Sequence, residues 1–163
     1  MKKKILIVDD DHDIHPLLVK MIEKVNKPND SKKFGEIDNI LSDMKGQEKS
    51  QTEEGEEKVI DFNFDHAFQG EEAIKYVDQA KVSPYDVVFM DVRMPPGIDG
   101  IQTIKEIRKS RPDYPFIICT AYMDYTWDEV VKILGSEKNI ALMKKPFTKQ
   151  KILENLKTLL KEA

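Results

Sequence analysis

Cysteine is nearly absent from this 163-residue chain, which contains only Cys119. One thiol cannot form a disulfide within the chain, and it cannot build a cysteine-based zinc site. Long hydrophobic runs are also absent, because stretches such as Ile5–Val8 and Val87–Met90 are far shorter than the roughly 20 residues that cross a bilayer. Only four apolar residues follow the lysines at 2–4, so a secretory signal is not indicated. These absences predict a soluble, cytoplasmic protein in a reducing compartment.

Neither sign of charge dominates, since 26 Lys and Arg residues stand against 30 Asp and Glu residues, for a net charge of -4. A basic arm for nucleic acid or for a membrane surface is therefore not expected. Much of the charge lies in residues 27–58, which hold nine acidic and six basic side chains. This composition predicts a solvated, flexible insertion, with a short amphipathic helix around 34–44 as the alternative. We expect one domain over residues 1–163 that carries this insertion.

Hydrophobic patterning predicts five strands that alternate with five helices. Apolar runs without alternation, such as Val87–Met90, are typical of strands buried on both faces. The alternation of Ile60, Phe62 and Phe64 with polar residues is instead typical of a strand at a sheet edge. The predicted strands are Ile5–Val8, Ile60–Asp65, Val87–Met90, Pro115–Cys119 and Ile140–Met143, and the helices begin near residues 14, 71, 100, 126 and 148. This order of elements favours an α/β fold with a doubly wound parallel sheet.

Polar side chains directly follow four of the predicted strands, and these are Asp9, Asp10, Asp91, Thr120 and the run Lys144-Lys145-Pro146. The carboxyl ends of parallel strands share one edge of a sheet, so these side chains converge if the strands are neighbours. Carboxylates held close together repel one another, and a hard divalent cation such as Mg²⁺ removes that conflict. A metal, an ammonium and a hydroxyl are the groups that stabilise a phosphoryl group in transfer. A carboxylate among them can act as the nucleophile.

These residues, in this order, resemble the receiver domain of two-component response regulators. The resemblance rests on Asp9-Asp10 after a strand, Asp91–Pro95 before Asp99-Gly100, Thr120-Ala121, and Lys145-Pro146-Phe147. It covers residues 3–161 apart from 27–58. It implies a five-stranded sheet of order 2-1-3-4-5 in a flavodoxin-like, three-layer α/β/α fold. It also implies a phosphoacceptor that assists its own phosphoryl transfer and dephosphorylation rather than an enzyme in the ordinary sense.

The resemblance implies a magnesium site and a phosphorylation site at the same place. Asp91 would accept a phosphoryl group from a histidine kinase or a phosphotransfer protein. Asp10 would ligate Mg²⁺ directly, and Asp9 would contribute through water. Asp91 and the backbone carbonyl of Arg93 would complete the protein ligands of the metal.

The resemblance also implies a switch beside that site. Thr120 would bind a phosphoryl oxygen and move on activation. Lys145 would form an ion pair with the phosphoryl group, and Lys144 would replace it only if the register of the last strand shifts. The peptide bond between Lys145 and Pro146 is expected to be cis, a form largely confined to proline.

The partners that the resemblance implies are the phosphoryl donor and a target of the switch. The fourth helix, the fifth strand and the fifth helix would present the output face to a downstream effector protein or a fused output domain. The same face would serve in a homodimer. A stand-alone receiver and one end of a longer regulator both remain open, and neither nucleic acid nor membrane is an expected partner.

The sequence departs from the family pattern in three places. The insertion 27–58 is unusual, and the loop Met94–Asp99 is one residue longer than the common form. Many receivers carry an aromatic side chain three residues before the site lysine, where this chain has Leu142. The aromatic half of the switch is therefore not expected here, whereas the threonine half is.

Two alternative interpretations start from the same first acids. The pattern Asp9, Asp11, Asp13 resembles the start of an EF-hand loop, but Ile14 stands where that loop requires glycine. A haloacid-dehalogenase-like phosphatase would use Asp9 as its nucleophile, but it needs a further acidic motif after the lysine and leaves Asp91 unexplained. The three histidines, which are His12, His15 and His66, form no ligand-like pattern and are expected to have surface or local structural roles.

Overall fold

The computed structural model describes residues 2–25, 60–121 and 125–161. Within them, five parallel strands form one sheet in the order β2-β1-β3-β4-β5, as predicted. The strands are β1 Lys2–Val8, β2 Asp61–Ala67, β3 Val87–Asp91, β4 Phe116–Thr120 and β5 Ile140–Lys144. The helices are α1 Ile14–Val25, α2 Gly70–Gln79, α3 Gly100–Ser110, α4 Trp127–Leu134 and α5 Lys149–Lys161. The predicted insertion 27–58 and its alternative helix lie outside the described residues.

Helices cover both faces of the sheet, which confirms the three-layer α/β/α architecture. Successive side chains of a strand point to opposite faces, so Leu6 joins one core cluster and Ile7 the other. The first cluster includes residues of α2, α3 and α4, such as Ile104. The second includes residues of α1 and α5, such as Leu18 and Leu156. Among the described helices, none is long and apolar enough to cross a membrane.

The two strands at the start of the sheet are longer than the apolar pattern predicts. β1 begins at Lys2 and pairs in register with β2 from Lys2↔Asp61 to Val8↔Ala67. Ionic contacts support this polar end, because the Lys3 ammonium lies 2.8 Å from Asp86 Oδ1 and the Lys4 backbone N–H donates to Asp86 Oδ2. Hydrophobic periodicity misses the extension because these residues are polar, and their place in the strand depends on pairing with β2 and on contacts with Asp86.

The helix that follows β4 begins and ends where the sequence predicts. Thr126 and Glu129 form a capping box in which each side chain accepts a hydrogen bond from the backbone N–H of the other. Gly135 ends α4 with φ of 74°, a left-handed conformation that favours glycine. The start of α4 therefore lies at a defined position, close in sequence to Thr120.

Candidate functional site

Three carboxylates meet at the carboxyl edge of the sheet. Val8 lies opposite Met90 in the pairing of β1 with β3, so Asp9 and Asp91 follow at adjacent strand ends. Both are nearly inaccessible to solvent, with 2% and 5% of their surface exposed. Carboxylate oxygens of Asp9, Asp10 and Asp91 all lie within 4.8 Å of one another. The structure thus brings together the three acids that the sequence singles out.

A single ammonium group bridges the two buried acids. Lys145 Nζ lies 2.7 Å from Asp9 Oδ2 and 2.9 Å from Asp91 Oδ1. The position of Lys145 follows from β5, since its backbone N–H donates to the carbonyl of Thr120. Lys144 is the last residue of β5 and its side chain is exposed. The register that would exchange the two lysines is therefore not the one observed.

The charges of this cluster alter the proton affinity of its members. Burial raises the pKa of Asp91 to about 6, against the opposing effect of its hydrogen bond to Lys145. Burial acts to lower the pKa of Lys145, but the hydrogen bonds and charges of Asp9 and Asp91 outweigh it and raise that pKa. The buried acids therefore hold the ammonium in its charged form, while Asp91 carries an electrostatic cost for being ionised without a metal.

The other two predicted site residues lie at the same edge. Thr120 ends β4 and is 4% exposed, and it lies opposite Lys144 in the pairing with β5. Arg93 follows Asp91 by two residues, and because a guanidinium group has no acceptor, any metal ligand that Arg93 supplies must be its backbone carbonyl. The bond between Lys145 and Pro146 is cis, as expected, and the bond between Pro95 and Pro96 in the longer loop is also cis.

The donor set of the acidic cluster fits a magnesium ion. All three side chains offer carboxylate oxygens, which are the ligands that hard divalent cations prefer. The neighbouring acid Asp11 has a different task, because its carboxylate accepts the backbone N–H of Asp13 at the start of α1. The EF-hand interpretation therefore finds no support. Asp9 is also unsuited to the phosphatase interpretation, because its two oxygens accept from Lys145 and from the Asp11 backbone N–H.

The structure shows a histidine contact that the sequence pattern does not reveal. His15 Nδ1 lies 2.9 Å from His66 Nδ1, and His15 Nε2 lies 2.8 Å from the backbone carbonyl of Asp9. His12 stacks on Phe68, with ring centroids 4.3 Å apart. These contacts agree with local structural roles for the histidines, and His15 is buried rather than a surface residue. No sequence signal pairs two residues 51 positions apart.

Two curated proteins are similar to part of this chain. The alkaline phosphatase synthesis transcriptional regulatory protein PhoP of Bacillus subtilis is 31% identical over 98 residues, which are 60% of this chain and 38% of PhoP. The sensor kinase CckA of Brucella abortus is 28% identical over 96 residues, which are 59% of this chain and 10% of CckA. The chain therefore spans well under two thirds of the length of either relative.

Solved structures share the fold. The response regulator protein TrrA from Thermotoga maritima, in complex with Mg(2+)-BeF, is 27% identical with a TM-score of 0.61, covering 97% of this chain and 99% of that one. The CheX-CheY-BeF3-Mg+2 complex from Borrelia burgdorferi is 18% identical with a TM-score of 0.64, covering 96% of this chain and 88% of that one. At this lower identity, the second likeness concerns the fold alone.

The family comparison covers four of the five strands and part of the site, since β1, Asp9 and Asp10 precede the matched residues. A model of the response regulator receiver domain matches residues 54–157, which include Asp91, Thr120 and Lys145. The match extends over more than half of the chain, and the strand order and the acidic cluster agree with it. This protein therefore belongs to the response regulator receiver domain family.

Proposed function

We propose that this chain is a phosphoacceptor in a two-component phosphorelay, with Asp91 as the residue that is phosphorylated. The observation that carries the proposal is the Lys145 ammonium bridging Asp9 and Asp91 inside a buried acidic cluster. Holding carboxylates close together is electrostatically unfavourable, and phosphoryl transfer is a function that needs both a nucleophilic carboxylate and a fixed positive charge.

Asp9, Asp10 and Asp91, together with the backbone carbonyl of Arg93, would hold Mg²⁺ at this site. The bound metal would neutralise negative charge on the phosphoryl oxygens during transfer. Lys145 would supply a second positive charge, since its raised pKa keeps it protonated. Thr120 would donate its hydroxyl to a phosphoryl oxygen.

The transfer itself needs one bond to form as another breaks. An oxygen of Asp91 attacks the phosphorus atom of a phosphohistidine, and the electron pair of the broken phosphorus–nitrogen bond leaves with the imidazole. Water later cleaves the phosphorus–oxygen bond, which restores the carboxylate and releases inorganic phosphate. Both steps take place at an acid with only 5% of its surface exposed, so the donor must bring its phosphoryl group to the carboxyl edge of the sheet.

Phosphorylation would bias the surface formed by α4, β5 and α5 towards one of two states. The added charge of about -1.5 to -2 would draw Thr120 and Lys145 inwards. The resulting output face would contact an effector, a fused output domain or a second copy of the chain. We further propose that residues 1–163 form one cytoplasmic receiver domain that carries the insertion 27–58, and that histidine kinases or phosphotransfer proteins are its donors.

Labelling by a small acyl phosphate tests this function without a cognate kinase. We expect stoichiometric, Mg²⁺-dependent incorporation of one phosphoryl group into the wild-type protein, in an acid-stable and base-labile form that mass spectrometry detects. Asp91→Asn should abolish the incorporation. Asp11→Asn is the matched control, because it removes a neighbouring exposed acid that lies outside the cluster, and it should label like the wild type. Equal labelling of Asp91→Asn and wild type would overturn the assignment.

A further inference from the structure

The first residue of α3 lies directly against the backbone of Asp91. A Cβ atom placed on Gly100 would come within 1.9 Å of the Asp91 carbonyl oxygen, so only glycine permits this approach. The Gly100 backbone N–H also donates to the carbonyl of Val92 at 2.8 Å. A displacement of the α3 N-terminus is therefore transmitted to the strand end that holds the Asp91 carboxylate.

Two donors hold the residue that precedes Gly100. Asp99 is the N-cap of α3, and its Oδ1 accepts the Gln102 backbone N–H at 2.8 Å. Its second oxygen, Oδ2, accepts the hydroxyl of Tyr125 at 2.7 Å. With both oxygens engaged, the carboxylate has one orientation, and the α3 N-terminus is joined to a residue 26 positions away.

Tyr125 connects this N-cap to the fourth helix. It directly precedes Thr126, which is the N-cap of α4. The Tyr125 ring packs, partly buried, against the same core cluster as Trp127 and Leu142. The hydroxyl therefore joins the start of α3, which abuts Asp91, to the start of α4 and to the core beneath it.

We propose that Tyr125 is a positioning residue for phosphoryl transfer, because its hydroxyl fixes the α3 N-terminus that abuts the backbone of Asp91. The inference rests on the proposed function of Asp91 and extends it to a residue that neither contacts the carboxylate nor ligates a metal in that proposal. The physical basis is preorganisation: a nucleophile held in one geometry loses less entropy on reaching the transition state. The substitution Tyr125→Phe keeps the ring in the core and removes only the hydrogen bond to Asp99.

A second hydrogen bond from a tyrosine hydroxyl to an aspartate carboxylate, away from the site, supplies a matched control for Tyr125. The Tyr85 hydroxyl donates to Asp65 Oδ2, also at 2.7 Å, in a part-buried setting. Tyr85→Phe and Tyr125→Phe thus each remove one tyrosine–carboxylate hydrogen bond of equal length. Tyr85 lies before β3, away from the carboxyl edge, so it should affect stability but not the site.

The test measures the labelling rate at saturating acyl phosphate, together with the Mg²⁺ concentration that gives half of that rate. We expect Tyr125→Phe to slow labelling by about 3- to 10-fold, the range for one net hydrogen bond. The half-saturating Mg²⁺ concentration should stay unchanged, because the proposed ligands remain in place. Tyr85→Phe should keep both values at the wild-type level. Asp99→Ala should slow labelling at least as much as Tyr125→Phe does. The double variant that carries both substitutions should label no more slowly than Asp99→Ala alone.

The outcomes separate this inference from the function on which it rests. Absence of labelling in the wild-type protein overturns the proposed function and this inference with it. Normal labelling of the wild type, with equal rates for Tyr125→Phe and Tyr85→Phe, overturns the positioning role alone. A slower rate that merely follows loss of folded protein in a urea titration also overturns it, since that result would describe a structural role.

Discussion

Removing the negative charge of Asp91 should stabilise the folded protein when Mg²⁺ is absent. Burial and the nearby acids raise the pKa of Asp91 from 3.8 to about 6, although Lys145 opposes the shift. Each pKa unit corresponds to 1.36 kcal/mol, so ionised Asp91 lowers the free energy of unfolding by at most about 3 kcal/mol, and by less to the extent that solvent screens its charge. Asp91→Asn is neutral at every pH and avoids that cost while nearly preserving the shape of the side chain.

The sign of the pH dependence follows from proton binding. Folded protein holds the Asp91 proton more tightly than the unfolded chain does, so this group contributes most stability below pH 4. That contribution is lost as the pH rises through about 6, where folded Asp91 ionises. The wild type should therefore lose stability between pH 4 and 7 relative to Asp91→Asn. The advantage of the variant should be largest near pH 8 and shrink as the pH falls towards 4.

Urea unfolding followed by circular dichroism, in the presence of a chelator, measures this difference at each pH. Asp11→Asn serves as the control, because it removes an exposed acid beside the cluster and should change the free energy of unfolding little. Added Mg²⁺ should stabilise the wild type more than Asp91→Asn, since the variant lacks one carboxylate ligand. The reasoning fails if Asp91→Asn is less stable than the wild type at pH 8 without Mg²⁺.

Two further comparisons test the geometry of the site. Lys145→Met should slow labelling by about 100-fold, as expected when one fixed charge beside a phosphoryl group is lost. Lys144→Met removes the adjacent exposed lysine and should label normally, and equal losses in both variants would contradict the observed register. Gly100→Ala should lower the free energy of unfolding by about 1 to 3 kcal/mol because its methyl group would overlap the Asp91 carbonyl. At Gly135, an added Cβ would meet no atom within 4 Å, so Gly135→Ala should lower the free energy of unfolding by only about 1 kcal/mol, through the positive φ of that residue. Urea unfolding measures both variants. Equal stability of Gly100→Ala and the wild type would contradict the close approach of Gly100 to the Asp91 carbonyl.

The parts of the fold that could be predicted are those with a local pattern. The β-branched runs at β1, β3 and β4 are buried on both faces, as their lack of alternation indicates. The α4 boundaries follow from the capping box at Thr126 and from Gly135, and both signals are contained within ten residues of sequence. Hydrophobic periodicity and cap chemistry act between near neighbours in the chain, so the sequence displays them directly.

The candidate site was predictable for a related reason. A polar residue directly after an apolar run is visible in the sequence, and parallel topology brings such residues to one edge. Asp9, Asp91 and Lys145 therefore converge as predicted. The roles of Thr120 and of the Arg93 carbonyl stay predictions, because the geometry places them at the edge without showing what they bind.

The contacts that sequence reasoning missed join residues far apart in the chain. The hydrogen bond from Tyr125 to Asp99 and the contact between His15 and His66 follow no periodicity. The polar start of β1 was missed for the same reason, since its partner Asp86 is more than 80 positions away. Such pairs depend on how the sheet positions its strands relative to one another, which no short window of sequence displays.

The amino-acid sequence by itself determined the order of strands and helices along the chain, the edge character of β2, and which polar residues lie at the carboxyl ends of four strands. Those properties depend on burial periodicity and on side-chain chemistry within short windows. Only the tertiary structure showed that one ammonium group bridges both buried acids, that the α3 N-terminus lies against the Asp91 backbone, and that the Tyr125 hydroxyl binds Asp99 at that terminus. These features depend on strand register and on side-chain packing across the sheet, where a shift of one residue reverses the face on which every side chain lies.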